Sequence, residues 1–415
     1  MFEEKTEPPN ATKIDWFAPA TERERHLQSE KEPSKLPLGP LEVVHVFWLA
    51  GMSCDGCSIA AVGATSPPIE QLLTGSIPGV PKVVLHHPVL SVEAGKAFVR
   101  NFEMAERNEL GVPYVVAYEG SVADERLAAQ SGGYWAALGS EEREDGSHRP
   151  IPTAEWLGRL APNAAAVVAI GTCATWGGVP AAAGNPTGSS GVMDYLGAAY
   201  RSTYGLPVVN IPGCSPIGDN ITETVATILL FLQGLGPLPE FDELGRPAWL
   251  FQDTVHQQCG RAGFYEEGTF AEHYGDKECL VELGCWGPVV QCNIAARGAI
   301  NHMGGCMNTG GICIGCTMPG FPDRFAPFYQ TPPGSALSTN TSRMVGTFIR
   351  PLRRMTQQFQ NRERGWGLTK DVPSGWGHVE RPGLAKRFLH TLYERYQFLG
   401  SRKPGDSRHA GGGES

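Results

Sequence analysis

The sequence predicts an α/β fold built on a doubly wound parallel sheet, followed by an irregular cysteine-rich domain and a basic C-terminal extension. Three observations support this prediction. Apolar runs alternate with helical stretches up to about residue 245, seven of the eleven cysteines fall between about residues 250 and 330, and residues 331–403 are basic. A chain of 415 residues has room for two or three domains.

The predicted sheet rests on five apolar runs that each end in a Gly- or Pro-marked loop. Such near-continuous runs, AAAVVAI among them, are typical of strands buried on both faces of a parallel sheet. The strand candidates are Val43–Leu49, Val83–Leu85, Tyr114–Tyr118, Ala164–Ile170 and Pro207–Ile211. We therefore predict a flavodoxin-like domain over residues 41–245.

A crossover helix is predicted over Asp219–Gly234, at the end of this domain. Asp219 or Asn220 is the expected N-cap, and Gly234 is expected to end the helix. The apolar face is formed by residues at helical spacing, namely Ile221, Val225, Ile228, Leu229 and Leu232.

The two ends of the chain differ from the predicted domains in composition. Residues 1–40 are polar and are interpreted as a mobile lead-in or a partner-binding arm. Between Thr341 and Lys403 there are 13 Lys and Arg against 4 Asp and Glu, together with an amphipathic helix candidate at Leu384–Leu399. Residues 404–415 are Gly-rich and polar, which is typical of a disordered tail.

Charge and hydropathy exclude some classes of protein. A net charge of −9 argues against binding nucleic acid across a broad surface. No run approaches the roughly 20 apolar residues of a membrane span, and the N-terminus lacks the pattern of a signal peptide, so a cytoplasmic location is expected. Walker A, GxGxxG and GxSxG motifs are missing from the expected places, so catalysis by this chain alone is not expected.

Eleven cysteines are many for a reducing compartment, and an odd number argues against a complete set of disulfides. Metal ligation is the better explanation, and the positions of the thiols support it. Cys54, Cys57, Cys173 and Cys214 each follow a predicted parallel strand, at the edge of the sheet where ligands bind. Four converging thiolates are the number that a 4Fe–4S cluster needs.

The second domain supplies two further sets of four ligands. The first of them is His256, Cys259, Cys279 and Cys285, in which a His three residues before a Cys can share one helical face with it. The other is Cys292, Cys306, Cys313 and Cys316. The three groups use every cysteine plus His256. Because this domain shows little periodic pattern, we expect metal binding rather than a hydrophobic core to hold it together.

Two other interpretations stay open on spacing alone. Cys173 and Cys214 can be buried apolar residues, with Cys54 and Cys57 as the only ligands of their site. Zinc also takes four thiolates, so a zinc-stabilised scaffold is an alternative to an iron–sulfur protein.

Six motifs in series resemble the small subunits of nickel–iron hydrogenases over about residues 43–322. These are CxxC after the first strand, GTCATWGG, PGCSP, HQQC, a later pair of cysteines followed by GP, and CIGC. The resemblance implies that Cys54, Cys57, Cys173 and Cys214 hold a proximal cluster. It also implies a distal cluster at His256, Cys259, Cys279 and Cys285, and a medial cluster at Cys292, Cys313 and Cys316.

Three residues modify what the resemblance implies. Many relatives have proline where this chain has Cys306, and they carry a 3Fe–4S medial cluster; a thiol there makes three 4Fe–4S clusters the expectation, with 3Fe–4S the alternative at the medial site. Asp55 lies inside the CxxC motif and is an alternative ligand of the proximal cluster. Glu119 stands where many members have a Glu-Gly pair and is equally well explained as a carboxylate at the end of a strand.

The resemblance implies an electron-transfer subunit paired with a nickel–iron large subunit, which oxidises hydrogen. A heterodimer, or a higher oligomer of it, is expected, with a protein or quinone-linked electron acceptor. The basic extension resembles that of soluble or peripheral members such as the actinobacterial type, and it is predicted to contact the large subunit or an anionic membrane surface. The alternative from the same fold is an electron-transfer subunit of a respiratory quinone-reducing complex.

Overall fold

The computed structural model describes residues 38–130, 132–143, 145–323, 330–332 and 334–347. Residues 1–37 of the predicted N-terminal arm, the amphipathic helix candidate and the Gly-rich tail lie outside these residues. Among the described residues, no helix is long and apolar enough to cross a membrane.

The described residues contain seven β-strands. In chain order they are β1 (Val43–Ala50), β2 (Lys82–His86), β3 (Tyr114–Glu119), β4 (Ala137–Glu142), β5 (His148–Pro152), β6 (Ala166–Ile170) and β7 (Val209–Ile211). Five of them form the parallel central sheet in the order β2-β1-β3-β6-β7, in which β1 pairs with β2 and β3 on its two sides. This is the 2-1-3-4-5 order of flavodoxin-like folds. All five predicted strands and the predicted fold class are confirmed.

Helices cover both faces of the sheet. In chain order they are α1 (Gly56–Val62), α2 (Ile69–Thr74), α3 (Gly95–Glu106), α4 (Glu125–Gln130), α5 (Thr153–Leu160), α6 (Thr172–Trp176), α7 (Val192–Leu196), α8 (Gly218–Leu232), α9 (Ala248–Phe251), α10 (Val255–Gln258), α11 (Ala262–Glu266) and α12 (Ile294–Arg297). Residues of α3, α5 and α7 share one buried apolar cluster with the sheet. Residues of α1, α2 and α8 share the other. The sheet is therefore buried on both faces, as its apolar runs predict.

The crossover helix is confirmed as α8, but the predicted N-cap is wrong. The helix begins at Gly218, and its N-cap residue, Ile217, makes no side-chain cap. The Asp219 carboxylate instead accepts hydrogen bonds from the backbone N–H groups of Thr65, at 2.6 Å, and Ser66, at 2.9 Å. A tertiary contact between α8 and the loop after α1 has taken the side chain that local sequence assigns to the cap.

A two-stranded antiparallel hairpin of β4 and β5 was not predicted from sequence. Its exposed face is held by ion pairs rather than apolar contacts. Arg149 contacts Glu141 at 2.6 Å and Glu155 of α5 at 2.7 Å. Because the strands are polar and short, they lack the apolar alternation that identifies a strand in a sequence.

The cysteine-rich domain has short helices and a small core of its own, which corrects the expectation that it lacks one. Val255, Trp286, Val289 and Met318 pack in a buried cluster that also contains three of the cysteines, Cys285, Cys292 and Cys313. The thiols are thus part of the core rather than a substitute for it.

A group of three side chains joins this domain to the sheet domain through hydrogen bonds. The amides of Asn220 on α8 and Asn293 exchange hydrogen bonds of 2.9 and 3.0 Å, and Arg297 of α12 donates to the Asn220 amide oxygen at 3.0 Å. We call Asn220, Asn293 and Arg297 the amide latch. It fixes α12 against the N-terminal half of α8.

Candidate functional site

The first ligand group lies at the carboxyl edge of the parallel sheet. Cys54 lies in the loop after β1, Cys57 in the first turn of α1, Cys173 in α6 directly after β6, and Cys214 in the loop after β7. Parallel strands bring their following loops to the same edge, so residues 160 positions apart in sequence converge.

The four thiols lie close enough for their charges to affect one another's pKa. Burial raises the pKa of Cys57, and the charges of Glu119 and of the other three thiols raise it further. Burial likewise raises the pKa of Cys173 to about 11, with Cys214 and Cys54 acting in the same direction. The group is open on one side, because Cys54 and Cys214 are exposed.

Glycine allows the backbone to approach these sulfurs. A Cβ atom on Gly171 would lie 2.4 Å from the Cys57 Sγ, and one on Gly178 would lie 2.7 Å from the Cys173 Sγ. Both glycines have positive φ, of +88° and +54°. The site is therefore a cradle in which any larger residue at either position displaces a thiol.

The Glu119 carboxylate is buried beneath the first group and accepts several hydrogen bonds. The donors are the Trp48 indole N–H at 2.9 Å, the backbone N–H groups of Cys57 at 3.0 Å and Ser58 at 3.3 Å, and the Ser58 hydroxyl. Glu119 thus binds the first turn of α1, where a carboxylate also suits the positive end of the helix. Its place at the end of β3 explains its burial, and its contact with Cys57 links it to the first group.

His87 extends this network. Its Nδ1 accepts the backbone N–H groups of Val89 at 3.0 Å and Leu90 at 3.3 Å, which places the ring proton on Nε2. Nε2 then donates to the Ser58 Oγ at 2.9 Å. Sequence reasoning missed both His87 and Ser58, because a His after β2 carries no local signal that it meets the Cys57 helix.

The second group lines a single cavity. His256, Cys259, Cys279 and Cys285 all contribute to its wall, with Arg261 and Met307. Burial raises the pKa of Cys279 to about 12, and the charges of Cys285 and Cys259 act in the same direction. Helix α10 ends at Gln258 and Cys259 is extended, so His256 and Cys259 meet through a helix end and not on one helical face as predicted.

The third group consists of Cys292, Cys306, Cys313 and Cys316. Burial raises the pKa of Cys292 to about 12, and the charge of Cys306 contributes to the rise. Burial also raises the pKa of Cys316, with contributions from Cys292 and Cys306, and that of Cys313, with contributions from Cys316 and Cys292. The Cys306 charge therefore acts on Cys292 and Cys316, and it acts also on Cys285 of the second group.

The third group lies between the other two. The charge of Cys214 in the first group contributes to the raised pKa of Cys316. The Thr172 hydroxyl, next to Cys173, donates a hydrogen bond to the Cys316 carbonyl. On the other side, the backbone N–H of Cys313 donates to the Cys285 Sγ at 3.3 Å. The three groups therefore follow one another in the order first, third, second.

The spacing of the donors bears on which metal they fit. Within the described ranges, no three side chains of His, Cys, Asp or Glu converge closely enough to hold one metal ion. A tetrahedral zinc site, with Zn–S distances of about 2.3 Å, requires its thiolates to lie within about 4 Å of one another. In a 4Fe–4S cluster each ligand binds a different iron, so its thiolates lie further apart than those of a single zinc ion.

Asp55 occupies an unusual place in this site. It is the N-cap residue of α1 with φ +60° and is exposed, and its backbone N–H donates to the Ser53 Oγ at 3.0 Å. Its carboxylate acts on His87, whose pKa burial lowers while the Glu119 and Asp55 charges raise it. It is thus on the open side of the first group, beside Cys54.

Comparison with known proteins identifies the family. Residues 251–329 match the family model for the C-terminal part of the NiFe/NiFeSe hydrogenase small subunit, and residues 54–228 match "NADH ubiquinone oxidoreductase, 20 Kd subunit". The second match covers the sheet domain alone and leaves the cysteine-rich domain unexplained. The respiratory alternative is therefore not the better supported one.

Individual relatives agree with the hydrogenase match. The periplasmic [NiFeSe] hydrogenase small subunit of Desulfomicrobium baculatum is 33% identical over 286 residues, which cover 68% of this chain and 86% of that protein. The periplasmic [NiFe] hydrogenase small subunit 1 of Nitratidesulfovibrio vulgaris is 31% identical over 320 residues, covering 76% and 87%. A solved actinobacterial-type NiFe-hydrogenase from Ralstonia eutropha H16 is 48% identical, with a TM-score of 0.73 and coverage of 84% and 98%.

The fold and the match across both domains define an electron-transfer subunit of an oxidoreductase. The chain belongs to the small-subunit family of nickel–iron hydrogenases. Members of this family carry iron–sulfur clusters. The resemblance drawn from the six sequence motifs is confirmed.

Proposed function

We propose that the chain holds three iron–sulfur clusters and conducts electrons from hydrogen oxidation at a nickel–iron centre in a partner large subunit. The observation that carries the proposal is the order of the three ligand groups, with the third group in contact with both others. When bound, the clusters supply one-electron redox chemistry, which the side chains alone lack.

Each ligand group binds one cluster in this proposal. The first group, Cys54, Cys57, Cys173 and Cys214, binds the proximal cluster, and Asp55 is its alternative ligand. The third group, Cys292, Cys306, Cys313 and Cys316, binds the medial cluster, which is 4Fe–4S if the Cys306 thiol ligates and 3Fe–4S if it does not. The second group, His256, Cys259, Cys279 and Cys285, binds the distal cluster.

The protein's own contribution is to hold and shield these ligands. Glu119 fixes the first turn of α1 and with it Cys57, while Gly171 and Gly178 leave room beside the sulfurs. Burial of Cys285, Cys292 and Cys313 excludes water from the inner groups. A neutral His256 reduces the negative charge of the outermost group compared with four thiolates.

The open side of the first group is a candidate docking face for the large subunit. Ile59 and Val62 on α1 are 71% and 48% exposed, and Ile300 and Met303 are 57% and 56% exposed. A Cβ on Gly63 would lie 3.6 Å from Ile300 Cδ1, so α1 and this loop are adjacent. We call Ile59, Val62, Ile300 and Met303 the apolar rim. Contiguous exposed apolar side chains next to a redox site are typical of a protein–protein interface.

The electron acceptor is a protein or a quinone-linked partner in this proposal, reached from the His256 group. Higher oligomers of the heterodimer, contact of residues 341–403 with an anionic membrane and a cytoplasmic location stay predictions. Flotation of the heterodimer with anionic vesicles tests the membrane contact, and loss of that binding at high salt is the expected signature.

The experiment that tests the function is copurification with the large subunit, followed by metal analysis and a hydrogen-uptake assay. We expect nickel with about twelve irons in the three clusters of this chain, and a broad absorption near 400 nm. A colourless protein that contains zinc would instead support the scaffold alternative.

Replacement of Cys306 by Pro tests the medial cluster. If Cys306 is the fourth ligand, the variant holds about one iron fewer per heterodimer and shows the electron paramagnetic resonance signal of an oxidised 3Fe–4S cluster. Asn308→Ala, next to the same loop, is the matched control and retains the iron content. An unchanged iron content in Cys306→Pro rules out ligation by Cys306.

Replacement of Asp55 by Asn tests the alternative proximal ligand. An amide in place of the carboxylate is expected to change the proximal signal only if Asp55 binds iron. Iron content and spectrum identical to those of the unmodified protein assign the site to its four cysteines.

A further inference from the structure

Arg246 is a cation buried between the two domains. The residue is 2% exposed, and its guanidinium lies over the Phe251 ring at 5.2 Å from the centroid. Its Nε donates to Asp242 Oδ2 at 2.7 Å, and its Nη2 donates to the side-chain oxygen of Gln291. A buried charge destabilises the folded state unless its surroundings compensate it. The burial of the Arg246 charge at this place therefore indicates a role beyond packing.

The contacts of Arg246 belong to the third ligand group. Gln291 directly precedes Cys292, and Met318, whose sulfur lies 3.9 Å from Nη1, follows Cys316 by two residues. The Thr317 hydroxyl donates to the Gln291 carbonyl at 2.8 Å and so ties these two segments together. The guanidinium is thus held against both ends of the third group.

The charge of Arg246 lies close to the third group. Its guanidinium donates to the side chain of Gln291, the residue next to the ligand Cys292. The negative charge of Asp242 offsets the positive charge of Arg246 only in part. The Asp242 side chain is 23% exposed, so solvent screens its carboxylate. Asp242 also accepts the backbone N–H groups of Leu244 and Arg246, at 3.0 and 2.9 Å, which fixes its position away from the third group.

We propose that Arg246 is a positioning residue whose fixed positive charge raises the reduction potential of the cluster bound by Cys292, Cys306, Cys313 and Cys316. The inference rests on the proposed function. Reduction adds one electron, supplied by hydrogen oxidation, and so adds one negative charge to the third group. A cation held nearby in a medium of low dielectric constant stabilises that added charge.

Arg246 and Asp242 form an oriented ion pair, so the two residues have opposite effects. Removing the cation lowers the potential of the third group. Removing the anion, while the turn is kept, leaves the cation uncompensated and raises the same potential. A residue that only supports the fold does not produce this change of sign.

The test is a redox titration of the purified heterodimer, followed by electron paramagnetic resonance. Arg246→Met is expected to move one of the three couples to lower potential, by about tenfold in its equilibrium constant, which is 59 mV for one electron. Arg246→Lys keeps the charge and is expected to restore most of the shift. Asp242→Asn keeps an acceptor for the turn and is expected to move the same couple upward.

The shifted couple is assigned with the Cys306→Pro protein, which changes the third group directly. Fewer than three iron–sulfur couples in the unmodified heterodimer contradict the proposed function itself. Three couples that stay unmoved in Arg246→Met and Asp242→Asn leave that function standing and overturn the role of Arg246. An equal shift in Arg246→Met and Arg246→Lys also overturns it, since the charge is then irrelevant. If the Arg246→Met heterodimer fails to assemble, the Asp242→Asn protein tests the proposal. An upward shift of the same couple then supports the role of Arg246, and an unmoved couple overturns it.

Discussion

The fully buried Glu119 shows how one side chain supports the first ligand group. Its two oxygens accept bonds from Trp48, from the Ser58 hydroxyl and from two backbone N–H groups at the start of α1. The sequence places a carboxylate at the end of a strand and leaves its role undecided. The role depends on partners from β1 and α1, 61 and more residues away, which no local pattern reveals.

Glu119→Gln is expected to destabilise the protein by about 1 to 3 kcal/mol. The new amide presents N–H groups to donors that need an acceptor, so at least one buried donor loses its partner. Denaturant unfolding measures the change in free energy. Glu142→Gln, at an exposed position, is the matched control and is expected to change it by less than about 0.5 kcal/mol. Equal effects of the two substitutions contradict the prediction.

A pair of histidines at the edge of the sheet gives the chain a pH-dependent stability. His86 is 1% exposed and its Nε2 lies 2.8 Å from the His45 Nδ1. Its own Nδ1 finds no hydrogen-bond partner in the part of the chain that the structure describes, and it lies 3.8 Å from Glu93. Burial lowers the pKa of His86 to about 4, and the charge of His45 acts in the same direction. The folded state therefore resists protonation of His86.

The unfolding free energy is expected to fall as the pH decreases from about 6.5 to about 4. In that window the unfolded chain binds the proton and the folded chain does not, so protonation favours unfolding; below it both states are protonated. His86→Phe, which can keep the stacking on Phe47, is expected to reduce this loss by about 1 to 2 kcal/mol. Thermal unfolding at pH 5 and pH 7.5 measures it, and an identical decrease in both proteins argues against the assignment.

At the scale of elements, strands are easier to infer from this sequence than helix ends or hairpins. Strand β6 is predicted because AAAVVAI has no polar residue to expose, and the structure buries it on both faces. The start of α8 is not predicted correctly, because Asp219 and Asn220 contact a distant loop and a distant amide. Hairpin β4–β5 is missed since its stability comes from ion pairs with α5, which depend on the tertiary fold.

The amide latch is expected to stabilise the contact between the two domains. Asn293→Ala removes the reciprocal amide bonds and leaves the buried Asn220 with an unpaired N–H group, so we expect a loss of about 1 to 3 kcal/mol. Asn101→Ala, on an exposed face of α3, is the matched control. Thermal unfolding of the single variants and of Asn220→Ala with Asn293→Ala gives the coupling. Strictly additive effects indicate that the two amides do not interact.

At the scale of the whole molecule, sequence spacing predicts which donors belong together but not how the groups are arranged. The grouping follows from the number of cysteines and from their places after strands. The position of the third group between the other two depends on contacts such as that of Cys313 with Cys285, which cross the three-dimensional fold. Arg246 is missed for the same reason, because its partners lie 45 and 72 residues further along the chain.

The apolar rim is expected to be required for the heterodimer. Ile59→Glu places a charge within the candidate docking face. A desolvated carboxylate is costly there, so we expect association to weaken by at least tenfold. Leu238→Glu is the matched control, because Leu238 is 55% exposed and follows α8 at the opposite edge of the sheet. Copurification and size-exclusion chromatography report the assembly. Intact heterodimers with Ile59→Glu place the interface elsewhere.

The spread of the first ligand group along the chain has a consequence for biosynthesis. Cys54 and Cys214 become neighbours only when β7 pairs with β6, and β7 ends three residues before Cys214. More than half of the polypeptide must therefore leave the ribosome before this donor set exists. The other two groups, between residues 256 and 316, close over much shorter loops. The complete first donor set therefore exists only after the sheet has formed.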